Sequence, residues 1–146
     1  MGRPDDEVVL LLTRGPALGR FDLGWAVYPD AWIYLNWAWG ELALRVGALL
    51  GLWPPAPYAD VLNAHPERLL LLGRVLTAAL GTAGVAVTIA VVRAAFGQAA
   101  GLAAGLLLAV NFLHARDAHS MKPDIALSLC IMGVRPVSRY CRTRDR

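Results

Sequence analysis

From Leu69 to Leu113 the chain carries charge only at Arg74 and Arg93. A stretch so apolar must be buried or sit in lipid, because exposing it to water is costly. Its first part, Leu69–Val92, exceeds the ~20 residues that a helix needs to cross a bilayer. Arg74 lies near its start, where a long side chain can snorkel to the interface, and Arg93 ends it. A tight turn at Phe96-Gly97 and a second, shorter run, Ala99–Leu113, follow. Gly97, Gly101 and Gly105 recur every fourth residue, a spacing that lets helices approach closely. A third apolar run, Ile125–Val134, is stopped by Arg135-Pro136.

Composition points the same way. Hydrophobic residues make up 57% of the 146 positions and charged ones 17%, against roughly a quarter charged in ordinary soluble domains. The expected class is an all-α, polytopic membrane protein with at least two transmembrane helices and membrane lipids as partners. Such a chain, lacking any nucleic-acid module, is not expected to bind nucleic acid. Cys130 and Cys141 have neither metal-site spacing nor the look of a disulfide framework. The opening MGRPDDE is polar and acidic, unlike a signal peptide. Residues 135–146 form a basic tail with arginines at 135, 139, 142, 144 and 146.

Ahead of the spans, Glu7–Leu12 reads as a short helix starting near Asp5 or Asp6, either of which suits an N-cap. Gly19–Pro29 reads as loop. Ala31–Leu52 is apolar enough to tempt as a span, yet holds Asn36, Glu41 and Arg45. At ~100° per residue, Asp30, Tyr34, Trp37, Glu41 and Arg45 form one stripe, and Glu41 and Arg45 are one turn apart. All five tryptophans (Trp25, Trp32, Trp37, Trp39, Trp53) lie between residues 25 and 53, near Tyr28, Tyr34 and Tyr58. Aromatic belts of this kind mark membrane–water boundaries, so the helix is expected to lie in the interface. The alternative is a tilted span with a buried ion pair. Trp53–Arg68, with Pro54, Pro55, Pro57 and Pro66, is expected to be a connecting loop.

After the second run, LHARDAHSMKPDI (Leu113–Ile125) crowds His114, Arg116, Asp117, His119, Lys122 and Asp124 together, as a chain leaving a bilayer would. Acids thus concentrate in two places: Asp5, Asp6 and Glu7, and then Asp117 and Asp124. With Ala31–Leu52 in the interface, two crossings separate the clusters and both return to one side. With that helix spanning, they fall on opposite sides.

The segments RVLTAALGT, RAAFGQAAGL and LLLAVNFLHARDAHSMKPDIAL, spanning Arg74 to Leu129, resemble the GT-C membrane glycosyltransferases. The branch related to protein O-mannosyltransferases and aminoarabinose transferases is the most similar. PDDE resembles that family's acidic motif in the first extracytoplasmic loop, and YPDAWIYL, from Tyr28, its entry to a juxtamembrane helix. The resemblance covers about residues 4 to 132. It implies residues 1–68 as an extracytoplasmic loop with juxtamembrane helices and 69–134 as transmembrane helices, in a multi-pass protein of a bacterial plasma membrane. The implied activity is sugar transfer from a polyprenyl-phosphate donor to a protein, lipid or glycan acceptor. Asp6 takes the role of catalytic base, beside Glu7 and with Asp5 as the register alternative. Asp124 matches the family's later acid and Arg116 the basic residue near it. A carboxylate can accept the acceptor's proton. A second can hold a divalent metal or orient the acceptor, while Arg116, His119 or Lys122 stabilises the leaving phosphate.

Plainer roles compete. Asp5 or Asp6 can simply cap a helix. His114 and His119, five apart, miss the i,i+4 spacing of helical metal ligands. Arg116 and Lys122 can anchor a helix end to headgroups. The chain also departs from the family. Members open with a transmembrane helix, whereas five residues precede Asp6 here, and the third run breaks off into an unrelated tail. The expectation is an N- and C-terminally truncated member, inactive by itself.

Overall fold

A computed structural model describes residues 4–20 and 29–133. They form helices joined by turns and short irregular segments, with no strand among the described residues: α1 (Pro4–Leu12), α2 (Arg14–Ala17), α3 (Asp30–Leu49), α4 (Tyr58–Ala64), α5 (Pro66–Phe96), α6 (Gln98–Ala109) and α7 (Phe112–Ala118). An eighth, α8, runs Asp124–Gly133. The basic tail lies outside the described residues. Two compact units divide the chain inside α5: residues up to Leu76 with Ser120–Pro123, and Thr77–His119 with the chain from Asp124 onward.

In the first unit, α3 buries Trp32, Ile33, Asn36, Gly40, Leu44 and Gly47 at helical spacing. Two of these are glycines for a reason. The Tyr58 ring lies 2.7 Å from where a Cβ on Gly40 would stand, and the Trp53 ring fills that place at Gly47. Leu10, Leu44, Tyr58, Val61, Leu62 and Leu69 form the apolar core. Three indole N–H groups dock on backbone carbonyls: Trp32 on Met121 at 3.0 Å, Trp39 on Leu72 and Trp53 on Leu44, both at 2.9 Å. These tryptophans therefore help fix the packing of the unit. The expected Glu41–Arg45 pair is formed at 2.7 Å.

The segment read as a connecting loop contains α4. Pro57 precedes the helix and Pro66 opens α5, so these prolines bound helices rather than forbid them.

The second unit is built on the rest of α5. That helix is the one described helix long and apolar enough by itself to cross a membrane. Its 31 residues extend about 46 Å at 1.5 Å per residue. Gly97, at φ +91°, makes the turn into α6, in a region closed to other residues. Of the glycine repeat, Gly101 and Gly105 allow the close approach that the spacing suggests, while Gly97 serves the turn. A Cβ on Gly101 would lie 2.8 Å from the Ile89 carbonyl oxygen, and one on Gly105 would meet the Ile89 side chain.

The second apolar run is not one helix. It breaks after Ala109 and resumes at Phe112, with a 63° bend between α6 and α7. Asn111 makes the break, its side chain capping α7 by accepting the His114 backbone N–H at 3.1 Å. Beyond it, the His114 ring donates to the Gly81 carbonyl at 3.2 Å, and Ala118 packs where Gly81 lacks a Cβ. From Arg93 to Gly81, α6 and α7 thus run back along α5.

Candidate functional site

The centre of the first unit's polar chemistry is Asp6, which is fully buried. It sits in the first turns of α1, which opens with Pro4, a residue suited to that place because its missing N–H is not needed there. The carboxylate does not cap its own helix, as one reading of the sequence had it. One oxygen, Oδ2, accepts from Arg74 Nη2 at 2.7 Å and Nε at 3.2 Å. The other, Oδ1, accepts the Met121 backbone N–H at 2.8 Å. Burying an ionised carboxylate is tolerable only with such partners.

Arg74 is the site residue that sequence reasoning missed. It was expected to snorkel, and its side chain does remain 37% exposed, but its guanidinium is turned to Asp6. The available signal was its isolation: a lone charge in an apolar helix invites a search for a partner.

The Met121 peptide is held at both ends, its N–H by Asp6 and its C=O by the Trp32 indole. Gly73, beside Arg74, makes room for it: a Cβ there would stand 2.6 Å from the Met121 Sδ. Helices α1, α3 and α5 therefore converge on one residue, Met121, of the connection between α7 and α8. The cluster extends along α1, where the Thr13 hydroxyl donates to the Leu10 carbonyl and accepts from Tyr58 Oη at 3.0 Å. Burial pushes the Tyr58 hydroxyl up to about 12.

The other expected site residues are placed as follows. Glu7 is exposed, and Lys122 is half-buried in the same unit as Asp6. The side chain of Asp5 lies outside the described residues. In the second unit, Arg116 Nε donates to Asp117 at 2.9 Å, and the His119 ring donates from Nδ1 to the Ala115 carbonyl at 2.6 Å. Asp124 is exposed as the first residue of α8, where a carboxylate favours the positive end of the helix dipole. Among the described residues, no three His, Cys, Asp or Glu side chains converge as a metal site.

The chain matches no protein-family profile, no curated protein and no solved structure.

Proposed function

We propose that this chain serves glycosyl transfer from a polyprenyl-phosphate-linked sugar to a hydroxyl acceptor at the face of a bilayer. The observation that carries the reading is the bond from Met121 N–H to Asp6. It ties the first acidic loop to the connection after α7, the two regions that the GT-C resemblance requires at one site.

In this reading the helices are arranged in the membrane as follows. α5 makes one crossing, and the bent α6–α7 pair, returning along α5, makes the second. α3 lies in the interface. Its exposed Leu35, Leu42, Val46 and Leu49 fall on one face, about 100° round from the stripe of Asp30, Tyr34, Trp37, Glu41 and Arg45. An apolar face beside a polar stripe is the pattern of a helix lying in the headgroup region.

Chemically, Asp6 is the general base and Arg74 its keeper. In the resting arrangement Arg74 occupies Oδ2, the oxygen that would take the acceptor's proton. A donor phosphate draws the part-exposed guanidinium to itself, as arginine does with phosphate oxygens, and so releases the base beside the sugar. Lys122, in the same unit as Asp6 and Arg74, adds positive charge near the leaving phosphate.

A non-catalytic membrane protein is the second reading. It is favoured by the complete burial of Asp6 with both oxygens engaged, which suits a purely structural strut. Donor binding separates the two. In lipid nanodiscs the chain should bind a polyprenyl-phosphate-linked hexose saturably and in preference to the parent polyprenol, with Arg74→Gln removing the preference. Equal binding of donor and polyprenol would overturn the catalytic reading.

A further inference from the structure

The first unit contains a second feature that glycosyl transfer does not use. A cleft of about 220 Å³ opens between α3, the turn after it and the start of α5, lined by Leu44, Leu52, Trp53, Arg68, Leu71 and Leu72. Five of the six are apolar. Leu52 and Leu71 are 66% and 63% exposed, a cost in water that disappears against hydrocarbon. The sixth, Arg68, is half-buried at the foot of the spanning helix, two residues after Pro66. Among the described residues, the ion pairs involve Arg45, His65, Arg74 and Arg116, and Arg68 joins none of them. A second cleft, about 480 Å³, shares Leu44 and is lined by Arg45, Ala48, Leu49, Pro55 and Ala56. There the guanidinium is already held by Glu41.

We infer that these neighbouring clefts bind one anionic glycerophospholipid, its phosphate on Arg68 and its acyl chains in the two apolar grooves. Charge decides the occupant. A half-buried guanidinium that makes no close ion pair, beside the end of a membrane helix, selects an anionic headgroup over the Glu67 carboxylate that merely neighbours it. The apolar lining selects acyl chains over a free phosphate ion. The pairing of Arg45 leaves Arg68 as the selective contact. Two grooves that share Leu44 in their lining match a two-chain lipid better than a single-chain one. The inference requires only that α5 is in a bilayer, and it stands apart from the reading of Asp6.

The test is native mass spectrometry of the full chain in detergent, titrated with dioleoyl phosphatidylglycerol or dioleoyl phosphatidylcholine. One basic residue near a membrane surface is worth about 1 kcal/mol toward anionic lipid, a preference of roughly fivefold. The first bound lipid should therefore show that preference for phosphatidylglycerol. Arg68→Gln should abolish it, while Arg93→Gln, at the far end of α5, should retain it. Leu52→Ser should weaken both lipids alike. Circular dichroism of Arg68→Gln should match the parent chain, since its guanidinium has no ion-pair partner to lose. Equal binding of the two lipids, or an unchanged preference in Arg68→Gln, overturns the inference. So does displacement of phosphatidylglycerol by an equimolar single-chain polyprenyl phosphate, which would assign the cleft to the donor instead.

Discussion

The Met121 backbone N–H donates to the Asp6 carboxylate at 2.8 Å, joining residues 115 positions apart in the chain. With Arg74 on the other oxygen, Asp6 links α1, α5 and the connection before α8. Removing either partner of the ion pair should therefore be expensive.

Arg74→Ala leaves a fully buried carboxylate without its cation, a change that typically costs ~3–5 kcal/mol. Asp6→Asn with Arg74→Ala should recover much of that loss, because no net charge is then buried. Denaturant unfolding in detergent, arranged as a double-mutant cycle, reads the coupling. Additive losses would show that the two side chains act independently.

The glycines of the α5–α6 hairpin should differ in sensitivity. Gly101→Ala brings a Cβ against the Ile89 carbonyl oxygen, which cannot move without the helix, whereas Gly105→Ala meets the Ile89 side chain, which can rotate. Overpacking costs ~1–3 kcal/mol, so Gly101→Ala should lie at the upper end and Gly105→Ala at the lower. Thermal unfolding of the two variants in the same detergent gives the order.

Tyr58 predicts an alkaline limit to stability. Its folded pKa is raised, from 10.0 to about 12, so the folded state holds the proton more tightly than the unfolded state does. The contribution is complete below pH 10 and is lost as pH rises from 10 through 12. A two-unit difference corresponds to roughly 3 kcal/mol. The unfolding midpoint of the parent chain should fall across that window, and that of Tyr58→Phe should fall less. Parallel curves would contradict the assignment.

Topology is tested by cysteine labelling in a background lacking Cys130 and Cys141. Glu7→Cys and Asp124→Cys, both at exposed positions, should react from one side of the membrane, and Gln98→Cys from the other. Labelling of Glu7→Cys and Asp124→Cys from opposite sides would remove the two-crossing arrangement.

What the sequence disclosed follows the range of the interactions. α5 is written in an uninterrupted apolar run, and the Glu41–Arg45 pair in an i,i+4 spacing, so both are local and readable. The glycine repeat at Gly97, Gly101 and Gly105 also says what it does. α4 was hidden because prolines were read as loop signals, although Pro57 and Pro66 stand at helix starts. The break between α6 and α7 was hidden because Val110-Asn111 contains neither proline nor glycine. Asn111, placed before FLHARDA, was the available capping signal. The Asp6 site was half legible. Its acid was singled out, but Arg74 and Met121, 68 and 115 residues away, could be joined to it only by the fold.

Whether Asp6 is a base rather than a strut is tested most directly by Asp6→Asn. Asparagine still accepts the Met121 N–H but cannot take a proton. The measurement is transfer of radiolabelled sugar from a polyprenyl-phosphate donor, using the chain expressed with its flanking genomic reading frames. General-base catalysis is typically worth ~10²–10⁴-fold, so turnover should fall by that factor while donor binding survives. Near-normal transfer by Asp6→Asn would contradict the role of base and leave Asp6 as a structural residue.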